Sequence, residues 1–421
     1  MIKKMMLDYT NKVCLAPMVR SGELPMRLMA DKYGCDLLWT PELIDKKLIT
    51  TTRIENKQLN TIDFVAANNN HQNSKKPPTE AIIFRKHPQE SGKLILQLGS
   101  SDPELAVEAS SKVIKDVDGI DLNCGCPKSF STHSGMGAEL LKTPELLCSI
   151  LRNLVEKIGK PNNKPISCKI RMLANFDKTY KLVEQIVTTG ISNLTIHCRT
   201  PNMRNRQNPF WNYLPKLIPL IEKNGVSVIL NGNFQSKSDL IAIQKALNND
   251  KISIMMAESA EANPSVFSEV PKSQDQLITE IFELGKKYHL YSGTKFLIMN
   301  MIPGKSKYYQ IFSQCKNFES MEQEIIKMNE NKTIEQWKND KIYKILNKNC
   351  QKSNSFNEEE FVKEMEKRSV EVEKFFGAWK EDAMLLDLND SPTKRTMEIP
   401  KHKLKNNRNG NVNKRQKIEA V

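Results

Sequence analysis

Leu94-Ile95-Leu96-Gln97-Leu98, then Ser101-Asp102-Pro103-Glu104-Leu105-Ala106-Val107, then Gly119-Ile120-Asp121-Leu122: these three segments, read in order, decide the fold. The first and last are apolar runs of strand length, and between them a capping carboxylate followed by proline opens an amphipathic helix. Two strands joined through a helix pair in parallel. The same rhythm extends in both directions. Further candidate strands are Val13-Cys14-Leu15, Leu37-Leu38-Trp39, Ile166-Ser167-Cys168-Lys169-Ile170, Leu194-Thr195-Ile196-His197, Val226-Ser227-Val228-Ile229-Leu230 and Ile252-Ser253-Ile254-Met255-Met256, and Thr143-Pro144-Glu145 marks another helix start with a capping hydroxyl. Eight such units within about 250 residues are the complement of a closed (β/α)8 TIM barrel, an α/β fold. The rival, a doubly wound open sheet, needs a Gly-x-Gly-x-x-Gly turn after its first strand. Ala16-Pro17-Met18 stands there instead.

The barrel is assigned to residues 1–262, interrupted by an insertion at 41–93. That insertion is expected to hold a short helix from Glu42 to Lys47, a polar stretch from Asn68 to Pro78, and one extra strand at Ala81-Ile82-Ile83-Phe84. Beyond it, 273–290, 294–318, 319–347 and 358–380 have helical spacing with many Lys and Glu, so a helical domain is assigned to 263–385 and a disordered basic tail to 386–421.

The formal net charge is +14, which favours a polyanionic partner, because Lys and Arg release condensed counterions when they neutralise phosphates. Residues 391–421 carry nine Lys/Arg against two Glu and no aromatic residue. That tail is a solubilising extension or a nucleic-acid or nuclear-import element; the remaining excess belongs to the folded part. No apolar run approaches the ~20 residues of a membrane helix, and Met1-Ile2-Lys3-Lys4-Met5-Met6-Leu7-Asp8 meets charge too early for a secretory leader. Nine scattered cysteines fit a reducing compartment, so the chain is expected in the cytoplasm, the nucleus or both, as a monomer. Cys124-Gly125-Cys126 has the wrong spacing for half a zinc site, and no metal is expected.

In a barrel, the carboxyl ends of the strands converge on one mouth. Here they are Pro17 and Met18, Gln97, Asn123 with Cys126, Lys169 with Arg171, His197 with Arg199, Asn231-Gly232 and Glu258. So many polar groups at one mouth point to a ligand, since each left buried and unpaired costs on the order of 1 kcal/mol or more. Cys126 lies between Gly125 and Pro127 on a constrained turn, and Gly135 and Gly137 mark a loop able to bend over the mouth. Nucleophile, general acid and plain structural residue all remain open for its thiol.

Five motifs in register, Ala16-Pro17-Met18-Val19-Arg20, Asn123-Cys124-Gly125-Cys126-Pro127-Lys128, Ser167-Cys168-Lys169-Ile170-Arg171, Ile196-His197-Cys198-Arg199-Thr200 and Asn263-Pro264-Ser265, resemble the tRNA-dihydrouridine synthase family of flavoenzymes. Val19-Arg20-Ser21-Gly22-Glu23-Leu24-Pro25-Met26-Arg27 with Glu42-Leu43-Ile44-Asp45 is most similar to the eukaryotic branch that acts on position 20 of the D-loop. The resemblance implies FMN at the mouth, NADPH or NADH as reductant, and tRNA as partner. It implies that Pro17, Met18 and Val19 back the flavin, that Gln97 and Lys169 bond its pyrimidine side, and that His197, Asn231, Gly232, Asn233 and Ala257 line the ribityl and phosphate path. Cys126 matches the cysteine that protonates uracil C5 while hydride reaches C6. Asn123 would orient the base, Arg171 would hold its carbonyls or a flanking phosphate, and Lys295, Lys305 and Lys307 would grip RNA.

Two positions depart from the family pattern. Glu258 stands where an arginine after alanine is usual, placing a carboxylate at the expected phosphate; another cation substitutes, or flavin binding is weakened. Asn233 replaces a common glycine, which the left-handed tolerance of Asn makes minor. Two other functions are weighed: a catalytically weak tRNA-binding protein that keeps the fold, motivated by Glu258, and an FMN barrel reducing a free pyrimidine, which leaves the charge and the helical domain unexplained.

Overall fold

The computed structural model describes residues 7–68, 79–302 except Arg206, Gly304, 307–330, Lys363 and 366–374. Twelve strands are found among them: β1 (Val13–Leu15), β2 (Leu37–Trp39), β3 (Leu43–Ile44), β4 (Thr52–Asn56), β5 (Thr61–Asn68), β6 (Thr79–Lys86), β7 (Leu94–Gly99), β8 (Gly119–Cys124), β9 (Ile166–Arg171), β10 (Asn193–His197), β11 (Ser227–Asn231) and β12 (Ser253–Met256). Eight of these are parallel neighbours in the order β2-β1-β12-β11-β10-β9-β8-β7, and pairing of Leu38 with Leu94 and Trp39 with Ile95 closes the ring. The eight candidate strands of the sequence are the eight staves of this TIM barrel.

Alternation along each strand sorts the side chains. Outward-facing Leu15, Leu38, Leu96, Leu122, Ile170, Ile196 and Leu230 pack under the helices, while Tyr9, Cys14, Leu37, Trp39, Ile95, Ile229 and Met255 fill the interior. Asp102 Oδ1 accepts from the N–H groups of Glu104 and Leu105 at 2.8 and 2.9 Å and caps Pro103–Val113 as its sequence predicts. Thr143, expected to cap Pro144–Leu154, makes no such bond.

The insertion is richer than its sequence suggests. Leu43 and Ile44 pair with Leu98 and Gly99 as β3, which delays the helix to Asp45–Ile49, so Glu42 precedes it rather than opening it. In place of one extra strand there is an antiparallel sheet β4-β5-β6. β4 is exposed along most of its length and so shows no apolar alternation. β5 buries Asp63, whose carboxylate Arg85 satisfies, which breaks the apolar pattern that would have announced it. Arg27, fully buried, donates to Glu90 at 2.6 Å and to the carbonyls of Gly22 and Arg85, fastening the sheet to the barrel's first helix, Leu24–Lys32. The polar stretch from Asn68 to Pro78 lies largely outside the described residues.

After β12 the chain forms helices Gln274–Tyr288, Tyr291–Met301, Lys307–Gln314 and Phe318–Glu330. The expected segment 294–318 is thus two helices. They lean on the barrel's first βα unit: Tyr33 Oη donates to Glu280, and the Arg20 guanidinium sits 3.9 Å from the Phe296 ring centroid, over its face. A later segment returns to the barrel, where Arg368 Nη2 donates to the Asn233 carbonyl at 2.8 Å and Arg368 faces buried Asp239. The basic tail at 386–421 lies outside the described residues.

Candidate active site

The carboxyl ends of the strands enclose a cleft of about 900 Å3. Of the residues singled out by sequence, Pro17, Met18, Val19, Gln97, Asn123, Cys126, Lys169, Arg171, His197, Asn231, Ala257 and Glu258 line it. Gly232 lies against it, its φ of +119° bringing the backbone so close that a Cβ would stand 3.3 Å from His197 Cδ2. Asn233 adopts φ +68°, the left-handed conformation expected of it. Lys295 is elsewhere: its ammonium donates to the carbonyls of Ser313 and Cys315 at 2.7 and 2.6 Å, tying two helices together. Lys305 and the side chain of Lys307 lie outside the described residues.

Beneath the cleft is a polar layer. Gln97 Nε2 donates to Asp121 Oδ2 at 2.9 Å, Ser167 Oγ donates to Asp121 Oδ1 at 2.7 Å, and Asn123 Nδ2 donates to Gln97 Oε1 at 2.9 Å. Burial pushes the Asp121 carboxyl up to about 6, and burial followed by the charge of Arg171 brings the Lys169 ammonium down to about 7. Enclosure, then Lys169, Arg171 and Arg199, hold His197 well below its usual range, so the imidazole is neutral and its Nε2 faces Arg199 Nη1 at 3.4 Å. Asn231 Nδ2 is committed to the Met255 carbonyl at 2.9 Å, which shapes the turn instead of reaching outward.

Cys126 is placed by its own turn. Asn123 Oδ1 accepts from the backbone N–H groups of Gly125 and Cys126, each at 3.0 Å, and Arg171 Nε donates to the Gly125 carbonyl at 2.9 Å. From below, Ala138 N–H donates to the Cys126 carbonyl at 2.9 Å, and Gly137, at φ +60°, passes where a Cβ would come within 2.6 Å of that oxygen. The glycine loop is therefore the seat of the thiol. Burial, and next the charge of Glu42, push the Cys126 thiol up to about 11, so it is protonated at neutral pH. Cys124, by contrast, is fully buried in the outer core. A protonated thiol at the edge of a cation-rich cleft is the arrangement of a proton donor, with Lys128, Lys169, Arg171 and Arg204 available for anionic groups.

The sequence profile of the dihydrouridine synthase (Dus) family matches residues 14–378. The chain belongs to the dihydrouridine synthase family. It is 44% identical over 325 residues to the tRNA-dihydrouridine(20) synthase [NAD(P)+] of Saccharomyces cerevisiae, covering 75% of this chain and 83% of that one. To the enzyme of the same name in Schizosaccharomyces pombe it is 43% identical over 75% of this chain and 65% of that one. A human tRNA-dihydrouridine(20a/20b) synthase [NAD(P)+]-like protein is 26% identical over 70% of this chain.

Several cleft residues of this dihydrouridine synthase escaped the sequence reading as site members, Ser21, Lys128, Met203, Arg204 and Asn205 among them, and two acids matter most. Glu42 was taken only as part of a helix and a branch signature, yet it lines the cleft beside Cys126. Glu261 also lines it, accepting from Asn300 Nδ2 at 3.0 Å and from Ser21 Oγ. The signal for Glu42 was its place directly after the second strand, in Thr40-Pro41-Glu42, where a barrel strand end should have been inspected. Glu258 is exposed at the start of Glu258–Ala262, and its charge acts on Arg199, whose guanidinium lies against Gly232.

Proposed function

We propose that this chain reduces uridine at position 20 of the tRNA D-loop to 5,6-dihydrouridine, using FMN recharged by NADPH or NADH. The observation that carries the reading is the protonated Cys126 thiol held at the mouth of the barrel in a family whose reaction adds one hydride and one proton across a pyrimidine double bond.

The cleft suits FMN. Its volume is adequate, and the close approach of Gly232 to His197 and Arg199 makes a cradle that a side chain would fill. Pro17, Met18 and Val19 would back the ring, Lys169 would face its pyrimidine edge, and His197, Asn231, Gly232, Asn233 and Ala257 would shape the ribityl and phosphate path. Gln97, which lines the cleft and is bonded to Asp121 and Asn123, would meet the pyrimidine side of the ring. Arg199, which donates to the carbonyls of Asn205 and Gln207 and lies beside His197 and Gly232, would be the cation that answers the missing family arginine. When bound and reduced, the cofactor supplies the hydride.

Uridine stacked in folded tRNA must be turned out into the cleft. Cys126 then gives its proton to C5. Asn123, which lines the cleft and holds the Cys126 turn through its Oδ1, would orient the base, and Arg171 secures Gly125 and lines the cleft, where it would hold the base carbonyls or a flanking phosphate. The helices beyond β12, set against Arg20 at the cleft's rim, and the basic tail would provide the RNA surface. The work would proceed in the cytoplasm or nucleus, in keeping with free thiols at all eight described cysteines. Incubating the holoenzyme, NADPH and an unmodified tRNA transcript, then mapping dihydrouridine, tests this: no product at position 20 overturns it.

A further inference from the structure

Among the described residues that line the cleft, Glu42 is the acid whose charge and hydrogen bond act on the Cys126 thiol. It follows β2 and projects to the mouth between β7 and the loop after β8, so tightly that a Cβ on Gly99 would stand 2.8 Å from its Oε1. Ser131 Oγ donates to Oε1 at 2.9 Å and fixes the carboxyl group. Oε2 is buried without a hydrogen-bond donor of good geometry among the described residues, while the side chain interacts with the Cys126 thiol. The groups facing Glu42 are Cys126 and Lys128 from that loop and Cys124 from β8; those facing Cys126 from β9 are Lys169 and Arg171.

This architecture leaves a thiolate behind after every turnover. We infer that Glu42 is the proton relay that returns a proton to Cys126 after each reduction. The inference rests on the proposed reading of Cys126 as the donor. In balance, the S–H bond breaks and a C–H bond forms at C5 as C6 accepts the hydride carried by the reduced cofactor. The Glu42 carboxylate then takes a proton from water at the open mouth, and the O–H bond so formed breaks as the proton passes to the thiolate and restores S–H. Net consumption is one hydride and one solvent proton. Burial raises the Glu42 carboxyl above its ordinary value, which keeps a transferable proton on it nearer neutrality. A solely structural Glu42 would have no need of proximity to a thiol that is already seated by Asn123 and Ala138.

The test compares first and later turnovers of holoenzyme prereduced by NADPH and mixed with unmodified tRNA transcript, following flavin absorbance and dihydrouridine. Glu42→Gln keeps the shape and loses the proton. Whatever the rate of its first turnover, later turnovers of this variant should slow relative to that first one by at least about tenfold at pH 8. The deficit should shrink toward pH 6 and respond to added imidazolium, and Glu42→Asp should restore part of the rate. Later turnovers at the unsubstituted rate would overturn the relay, as would an equal slowing of the first turnover that neither low pH nor imidazolium relieves. Full activity of Cys126→Ala measured alongside would instead defeat the underlying assignment of the thiol.

Discussion

Asn123 Oδ1 accepts from the Cys126 backbone N–H at 3.0 Å, so the strand that ends at Cys124 dictates where the Cys126 thiol stands. The cysteine is held by its own strand end, with little freedom to drift.

Cys126→Ala should therefore leave cofactor content and tRNA affinity nearly intact and lower turnover by roughly 10²-fold or more, the usual scale for a lost proton donor. Cys124→Ala, which trims a side chain in the outer core, should cost stability before rate. Dihydrouridine formation with saturating tRNA, set beside thermal melts, separates the two. Equal loss of rate in both variants would remove Cys126 from its role.

Asn123→Ala strips the turn of its acceptor and leaves two N–H groups and Gln97 Oε1 without partners. About 1–3 kcal/mol of stability should go for each buried group left unsatisfied, with turnover falling alongside. Urea denaturation and initial rates provide the check; an unaltered midpoint would mean that the turn is held by the Gly137 loop alone.

Asp121 gives a pH signature. Its folded carboxyl sits near 6 against an ordinary 3.8, so between those values the folded chain holds a proton that the unfolded chain has released. This group's contribution to stability is greatest below about pH 4 and declines as pH rises through 6. Asp121→Asn should flatten that arm. Denaturation midpoints measured across pH 4–6 would show it, and an equally steep decline in the variant would assign the effect to other residues.

The exposure of Glu258 tempers the repulsion expected from sequence, since solvent screens a surface charge and Arg199 offsets it. Glu258→Gln should change FMN affinity by less than about threefold, and Glu258→Arg should tighten it only modestly. Fluorescence titration of apoprotein with FMN measures both. A loss of affinity in the arginine variant would show that the carboxylate is needed to hold Arg199 in place.

Removing residues 391–421 takes away nine Lys/Arg. Binding of tRNA should weaken and its salt dependence become shallower, while rate at saturating tRNA persists. An unchanged slope of log affinity against log salt would confine the RNA surface to the folded part.

The barrel was legible because both faces of its strands are buried, which writes largely apolar runs into Leu94–Gly99 and Ser227–Asn231. The insertion was not, because β4 is exposed and buried Asp63 is satisfied by Arg85, a partner 22 residues on, together with Asn56 and Thr61. Strand-end polarity marked the candidate cleft, yet it could not show that Asn231, which lines that cleft as Lys169 does, commits its amide N–H to the Met255 carbonyl. Lys295 looked like a surface cation and proved to be a helix tie, because its acceptors, the carbonyls of Ser313 and Cys315, leave no trace in side-chain composition.

β1 closes the ring against β12, pairing Val13 with Ile254. The cleft draws Pro17 and Met18 from one side of that seam and Ala257 from the other. A nascent chain therefore possesses no cleft until nearly all of the barrel has been synthesised and its two ends have met, a late, high-contact-order event. Occupancy of the cleft would thus report on completed folding, since a ligand held from both sides of the seam binds only the closed barrel.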